Sequence, residues 1–292
     1  MFIAIIGTRL SGKSTVETYL TARGFIPVRI ISQRHSLEQP LCFASARELL
    51  EHVTRNWRFN FVTQDLRTER VIQMFIRRPF FMLVSIDGPI FDRFRRLNDQ
   101  VEHSSPLHSL QKYVTLHVIN NFDTVTALHS YLDEANLLDA ERLRPSWDSY
   151  FMTLASLASM RSNCMKRRVG AILVRDKRIV ATGYNGTPIG LTNCNEGGCP
   201  RCNGSDEREI CLCLHAEENA LLETGRERVA GATLYCNTCP CLTCTVKIVQ
   251  TGVKEVVYNL SYKVDDASSK VFQDAGVILR RHRQAQEDAT IR

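Results

Sequence analysis

Apolar and polar positions in the first half of the chain predict strands and helices in alternation. Residues 2–6 (FIAII) form a short continuous apolar run, which is typical of a strand buried on both faces. The same patterns predict further strands at 28–31, 59–63 and 80–86, and helices at 46–53 and 69–76. This alternation predicts an α/β domain with a doubly wound parallel sheet.

The second half predicts elements in the order α-β-β-α-β-α-β-α-β. WDSYFMTLASLASMRS has helical spacing, and VGAILV and RIVATGY are predicted strands. A loop rich in Cys, Asn and Gly at 185–213 separates them from a short helix, HAEENALLETG, and from the remaining elements. This order predicts a three-layer α/β/α sandwich around a five-stranded mixed sheet.

We place the boundary between the two domains at the polar residues 141–146, which include Pro145, and predict domains 1–144 and 145–292.

Composition excludes several classes of protein. The chain has 292 residues, 44% hydrophobic and 23% charged, which is ordinary for a folded domain and excludes disordered or collagen-like chains. The net charge of +6 is divided almost evenly between the halves, so no polyanionic partner is demanded. We find no membrane span or signal peptide, and expect a cytoplasmic protein, with the nucleus as a further location. In a reducing compartment, the 11 cysteines are metal ligands or free thiols rather than disulfides.

The first half contains a phosphate-loop pattern directly after its first strand. Gly7, Gly12, Lys13 and Ser14 complete G-x-x-x-x-G-K-[ST], and Thr15 follows. Backbone N–H groups of such a loop surround phosphate oxygens, and the following helix adds partial positive charge. Lys13 would pair with the outer phosphates of ATP or GTP, and Ser14 would bind Mg²⁺.

Asp87 ends an apolar strand, where P-loop proteins often keep a carboxylate beside magnesium. With this residue, the domain resembles a small-molecule kinase of the P-loop class. The alternative is a nucleotide-binding fold without catalysis, in which Asp87 only caps the following helix.

Two motifs in the second half predict a zinc site. His215 and Glu217 form H-x-E, and Cys241 and Cys244 follow Pro240 in P-C-x-x-C; together they match the signature of zinc nucleobase deaminases. His215, Cys241 and Cys244 leave one position of a tetrahedral zinc free for water, as a catalytic site requires. Glu217 can then move protons as acid and base in turn. The alternative is a closed site made by the four cysteines Cys236, Cys239, Cys241 and Cys244.

Longer stretches of the second half resemble one particular family of zinc deaminases. SNCMKRRVGAILV, GYNGTPIG, CLCLHAEENALL and TCPCLTCTVKIVQTG resemble the deoxycytidylate deaminase family, in its larger fungal form with an extra N-terminal domain. The resemblance covers residues 143–280. It implies hydrolysis of dCMP to dUMP and ammonia, which supplies thymidylate synthesis. It also implies a homohexamer activated by dCTP and inhibited by dTTP.

The same resemblance implies roles for further residues. The nucleotide-binding segment GYNG of this family corresponds here to Gly183, Tyr184, Asn185 and Gly186, which would contact the substrate or the effector. The alternative is that these residues only form a tight turn, which Asn-Gly favours by itself. Basic residues at 166–168 are candidates for the substrate phosphate. A second, structural zinc would be held by Cys164, Cys194, Cys202 and Cys213, with Cys199 as an alternate ligand and free buried thiols as the other possibility.

Two other functions share these motifs. A deaminase acting on tRNA or single-stranded DNA would have the same core motif. The even charge distribution, without a basic and aromatic strip, argues against it and against a nucleic-acid partner. The second is a P-loop nucleotide kinase with a zinc-stabilised binding module, which the complete catalytic motif disfavours.

Overall fold

The chain divides into two compact units, Met1–Arg144 and Pro145–Arg292. The structure is a computed structural model and describes residues 1–31, 41–89, 108–204, 208–261 and 266–282. Each unit has its own sheet and its own apolar core. Within the described residues, no helix combines the length and the apolar character needed to cross a membrane.

The first unit is a parallel α/β sheet. Its strands are β1 (Phe2–Gly7), β2 (Ile26–Ile30), β3 (Leu41–Phe43), β4 (Phe61–Thr63), β5 (Phe81–Asp87) and β6 (Leu116–Ile119). Its helices are α1 (Lys13–Thr21), α2 (Ala46–Arg55), α3 (Glu69–Phe75) and α4 (Val125–Glu134). All strand pairs are parallel, in the order β3-β2-β4-β1-β5-β6. The apolar pattern missed β3 and β6, which are the short strands at the two edges.

Burial of β1 on both faces explains its continuous apolar run. Ile3 and Ile5 pack into one core cluster, together with Leu20 of α1. Phe2 and Ala4 point to the opposite face and belong to a second cluster. Successive side chains of a strand alternate between faces, so a central strand with helices on both sides needs apolar residues throughout.

The second unit contains the mixed sheet. Its strands are β7 (Gly170–Arg175), β8 (Arg178–Tyr184), β9 (Thr233–Thr238), β10 (Glu255–Leu260) and β11 (Ile278–Arg281). Its helices are α5 (Trp147–Ser159), α6 (Pro200–Asn203), α7 (Ala216–Thr224), α8 (Arg226–Val229), α9 (Leu242–Thr251) and α10 (Asp266–Asp274). The strand order is β11-β10-β9-β7-β8, with β7 antiparallel to both of its neighbours. The predicted order of elements is confirmed, with the short helices α6 and α8 added.

Helices cover both faces of this sheet, which gives the three layers. Phe151 and Met152 of α5 pack on one face with Ile172 of β7. Leu173, the next residue of β7, lies in the opposite cluster with residues of α7, α9 and α10. As a result, α7 and α9 begin on the same face of the sheet.

Candidate metal centre and active site

The metal-ligand candidates lie where two helices begin. His215 is the N-cap of α7 and has an extended backbone (φ −79°, ψ 158°), and its N–H donates to Glu218 Oε2 at 2.7 Å. Glu217 lies inside the helix. Residues i and i+2 of a regular helix point in different directions, so His215 can share a pocket with Glu217 only from outside the helix. Cys241 is likewise the N-cap of α9, and Cys244 lies in its first turn.

The three predicted ligands come together. His215 Nδ1 lies 3.5 Å from Cys241 Sγ and 3.3 Å from Cys244 Sγ, and all three ligand atoms lie within 4.8 Å of one another. One imidazole nitrogen and two sulfurs at this spacing fit a tetrahedral zinc ion, with bonds of about 2.0–2.3 Å. Cys244 is buried, Cys241 is half-buried and His215 is exposed. One side of the centre is therefore open to solvent.

Charge around the centre favours a cation. Hydrogen bonds from Cys244 and His215 lower the pKa of Cys241 to about 3. The hydrogen bond with Cys241 raises the pKa of His215 to about 9. The lowered pKa of Cys241 favours its thiolate form at neutral pH, which is the form that binds a metal ion.

Glu217 is the buried acid beside this centre. Only 3% of its surface is exposed, and desolvation by burial raises its pKa to about 7. A carboxyl group with this pKa exchanges protons readily at neutral pH. Together with His215 and Cys241 it lines a cavity of about 480 Å³. The cavity can hold a molecule of nucleotide size against the acid and the metal ligands.

Basic side chains also line this cavity: Lys166, Arg167 and Arg201. The sequence had identified the first two as phosphate candidates. Arg201 was missed because it lies in the long loop, on the four-residue helix α6, far along the chain from the other cations. Three cations at one cavity favour an anionic ligand.

Asn185 lines the cavity, but its side-chain amide is held by the backbone. Its Nδ2 donates to Arg167 O at 2.9 Å, and its Oδ1 accepts from Val169 N at 2.8 Å. The tight turn expected at Asn185 and Gly186 is wrong, because Gly186 instead pairs with Leu214 as an antiparallel bridge. This bridge fixes the chain one residue before His215.

The other two residues of that segment lie at the end of β8. Gly183 packs beneath α7, and a Cβ there would lie 2.1 Å from Ala216 O. Tyr184 is partly exposed, and its carbonyl accepts a hydrogen bond from Asn219 Nδ2 at 2.6 Å. Both residues therefore help to hold α7, which carries Glu217, against the sheet.

The loop cysteines also come together. The predicted quartet Cys164, Cys194, Cys202 and Cys213 has all four sulfurs within 4.8 Å of one another. A second set with the same spacing contains Cys199, Cys202, Cys211 and Cys213. Cys211 lies in the same part of the sequence but was outside the predicted quartet, since spacing along a loop does not show which thiols meet.

The closed site of Cys236, Cys239, Cys241 and Cys244 is not formed. Cys236 is buried in the main apolar core of the second unit. Among the described residues, neither Cys236 nor Cys239 belongs to a set of converging metal ligands. The open arrangement with His215 is the one that the structure contains.

The chain is similar to proteins of known activity. Residues 145–260 match the family model described as the cytidine and deoxycytidylate deaminase zinc-binding region. The deoxycytidylate deaminase of Schizosaccharomyces pombe is 45% identical over 311 residues, covering 96% of this chain and 97% of the relative. The chain belongs to the deoxycytidylate deaminase family. It is therefore an enzyme of the hydrolase class, and its family is a zinc-binding one.

Two further deoxycytidylate deaminases are similar. That of Saccharomyces cerevisiae is 45% identical over 312 residues, covering 96% of both chains. The crystal structure of dCMP deaminase from the cyanophage S-TIM5, in complex with dCMP and dUMP, is 38% identical with a TM-score of 0.39, covering 46% of this chain and 94% of that one. The two yeast relatives match the N-terminal unit of this family member as well as its deaminase unit.

In the first unit, the phosphate-loop pattern runs from the end of β1 into the first turn of α1. Gly12 is the N-cap of α1 at φ 99°, a left-handed conformation that glycine adopts without strain. Lys13 Nζ donates to the carbonyls of Gly7 (3.2 Å) and Thr8 (2.6 Å). Ser14 and Thr15 follow in the first turn of α1, where backbone N–H groups have no partner within the helix.

Asp87 lies beside this loop, at the end of the neighbouring strand β5. Its Oδ1 accepts from Thr8 Oγ1 at 2.7 Å and from Gly88 N at 2.9 Å. The helix that Asp87 was alternatively expected to cap falls outside the described residues. The structure thus brings the predicted carboxylate to the loop.

Proposed function

We propose that this chain hydrolyses dCMP to dUMP and ammonia at a zinc ion held by His215, Cys241 and Cys244. The observation that carries the proposal is the buried Glu217 beside these three converging ligands. Membership of the deoxycytidylate deaminase family supports the choice of substrate. The reaction consumes one water molecule and releases one ammonia.

Zinc at these ligands supplies the Lewis acidity that makes water nucleophilic at neutral pH. Glu217 does the proton transfers: it accepts a proton from the attacking water, delivers it to a ring nitrogen, and later carries a proton to the departing amine. Its raised pKa of about 7 suits both directions of transfer. The cavity around Glu217 is large enough to hold the cytosine ring beside the acid and the metal ligands.

A panel of substrates tests the proposal. The purified chain is supplied with dCMP, deoxycytidine or a cytosine-containing oligonucleotide, and ultraviolet absorbance is followed. We expect dCMP to have the highest kcat/KM and the oligonucleotide to compete poorly. Preferred deamination of the oligonucleotide would instead support a polynucleotide deaminase.

We assign the substrate phosphate to Lys166, Arg167 and Arg201. Replacing Arg201 with Gln removes a charged hydrogen bond worth about 1.5–3 kcal/mol, so KM for dCMP should rise about 10- to 150-fold. KM for deoxycytidine, which has no phosphate, should not change. The control is Arg226→Gln, an exposed arginine on α8. Equal effects on both substrates would contradict the assignment.

For the N-terminal unit, we propose a P-loop nucleotide-binding domain, in which residues 7–15 and Asp87 bind a Mg²⁺ nucleotide. The Nη1 atom of Arg9 is buried without a hydrogen-bond partner. Burial and the nearby charges of Arg67 and Arg9 lower the pKa of Lys13. A phosphate group would neutralise these cations and satisfy the unpaired nitrogen. ATP, GTP, dCTP and dTTP are the candidates.

Replacing Lys13 with Ala should weaken nucleotide binding by at least about tenfold, because a charged partner of the phosphates is lost. Calorimetry on the full chain with each triphosphate and Mg²⁺ measures this. Arg55→Ala, which removes an exposed cation of α2, is the control. Failure of every nucleotide to bind the folded parent at millimolar concentration would show that the loop is structural.

Regulation and assembly follow the family resemblance. We propose activation by dCTP, inhibition by dTTP and a homohexamer located in the cytoplasm. The loop quartet of Cys164, Cys194, Cys202 and Cys213 supports a structural zinc in addition to the catalytic one. Light scattering with and without dCTP, combined with the dCMP assay, tests assembly and regulation together.

A further inference from the structure

Six cysteines of the second unit form one cluster: Cys164, Cys194, Cys199, Cys202, Cys211 and Cys213. They make two sets of four, and within each set all sulfurs lie within 4.8 Å of one another. Cys202 and Cys213 belong to both sets. The cluster therefore contains two four-sulfur sites that share one pair of sulfurs.

The sulfur–sulfur distances match metal coordination. Zinc–sulfur bonds are about 2.3 Å, so the edge of a ZnS₄ tetrahedron is about 3.8 Å. The shared pair, Cys202 and Cys213, is 3.9 Å apart. On one side Cys164 lies 3.9 Å from Cys202, and on the other Cys211 lies 3.7 Å from Cys202. Cys199 and Cys211 are 3.8 Å apart, and all six are free thiols.

We propose that this cluster binds two zinc ions bridged by the thiolates of Cys202 and Cys213. Cys164 and Cys194 complete the coordination of the first ion, and Cys199 and Cys211 complete the coordination of the second. A single structural zinc would use four thiols and leave two others at coordination distance. Two ZnS₄ tetrahedra that share an edge use all six thiolates of the cluster.

Backbone amides donate hydrogen bonds to two of the four terminal ligands. Met165 N donates to Cys194 Sγ at 3.5 Å, and Leu212 N donates to Cys199 Sγ at 3.4 Å. One donor thus reaches a terminal sulfur of each ion. Six thiolates and two zinc ions carry a net charge of about −2. The N–H groups, with Lys166 and Arg167 at the adjoining cavity, offset that charge.

The cluster links the long loop to the active site. Loops of this length without much regular structure are uncommon unless something orders them. Cys194 lies in a short 3-10 turn, Cys199 and Cys202 lie at α6, and Cys213 precedes His215 by two residues. Metal binding by dispersed ligands supplies the free energy of ordering such a segment. The bridged cluster fixes the segment that leads directly into His215.

The zinc content of the full chain tests how many zinc ions the cluster binds. After reconstitution with zinc and removal of the excess, we expect about three zinc ions per chain, with one at His215 and two in the cluster. Cys241→Ala removes the catalytic ion alone and should leave about two, so this test is independent of the proposed activity. Cys211→Ser should lower the parent value, whereas Cys42→Ser, in the other unit, should not. A folded parent saturating at two zinc ions would overturn the proposal.

Cadmium-113 substitution tests the bridge itself. Two cadmium ions that share thiolate ligands split each other's resonances through the bridging sulfur, whereas separate sites do not. We expect a coupled pair of resonances in the range of four-sulfur sites, which persists in Cys241→Ala. Absence of coupling in the fully loaded protein would show that the ions, or the single ion, are not bridged.

Discussion

Glu217→Gln is expected to lower turnover of dCMP by about 10²- to 10⁴-fold, without loss of zinc. Gln has nearly the same size and still forms hydrogen bonds, but it cannot accept a proton from water or deliver one to the ring. Because Glu217 is almost fully buried, bulk water cannot easily replace it as the proton carrier. Steady-state kinetics and metal analysis of the same sample measure the two quantities.

Glu223→Gln is the matched control for this variant. It makes the same substitution on the same helix, α7, at an exposed position. We expect its turnover to equal that of the parent. A Glu217→Gln enzyme within tenfold of the parent would contradict the proton-transfer role.

The second large effect is expected from Cys241→Ala. Removing one of three protein ligands should weaken zinc binding at this site by more than about 100-fold, a larger loss than removal of an outer-sphere partner causes. Deamination should be lost with the metal. Cys241 is half-buried, whereas Cys244 is in the core, so Cys241 is the better position for separating metal loss from loss of folding.

Zinc content, thermal unfolding and activity should be measured together for this variant. We expect one zinc fewer per chain than in the parent and a cooperative unfolding transition. Cys42→Ser should retain full zinc content and activity. Undiminished zinc in Cys241→Ala would exclude this cysteine as a ligand.

Local patterns were sufficient to predict much of this molecule. The apolar run of β1 predicted burial on two faces because a central strand has no polar face. The motifs around His215 and Cys241 predicted converging ligands because together they match the signature of zinc nucleobase deaminases. Asp87 was expected near the phosphate loop because P-loop proteins often keep a carboxylate at the end of such a strand, and β5 does lie beside β1 in the sheet.

Contacts within and around the long loop could not be predicted from these patterns. The turn expected at Asn185 gave way to a bridge with Leu214, a residue nearly thirty positions later. Arg201 and Cys211 reach their partners through loop geometry, which hydrophobic periodicity does not encode. The edge strands β3 and β6 were missed because they are short and partly exposed, so they lack the apolar signal of a central strand.

The most direct measurement of the central claim is the stoichiometry of the reaction with dCMP, before and after metal removal. The full chain is incubated with dCMP, and dUMP and ammonia are quantified separately. We predict equal amounts of the two products, loss of both after treatment with a chelator, and recovery when zinc is returned. A folded, zinc-loaded chain that forms no dUMP from dCMP would contradict the account.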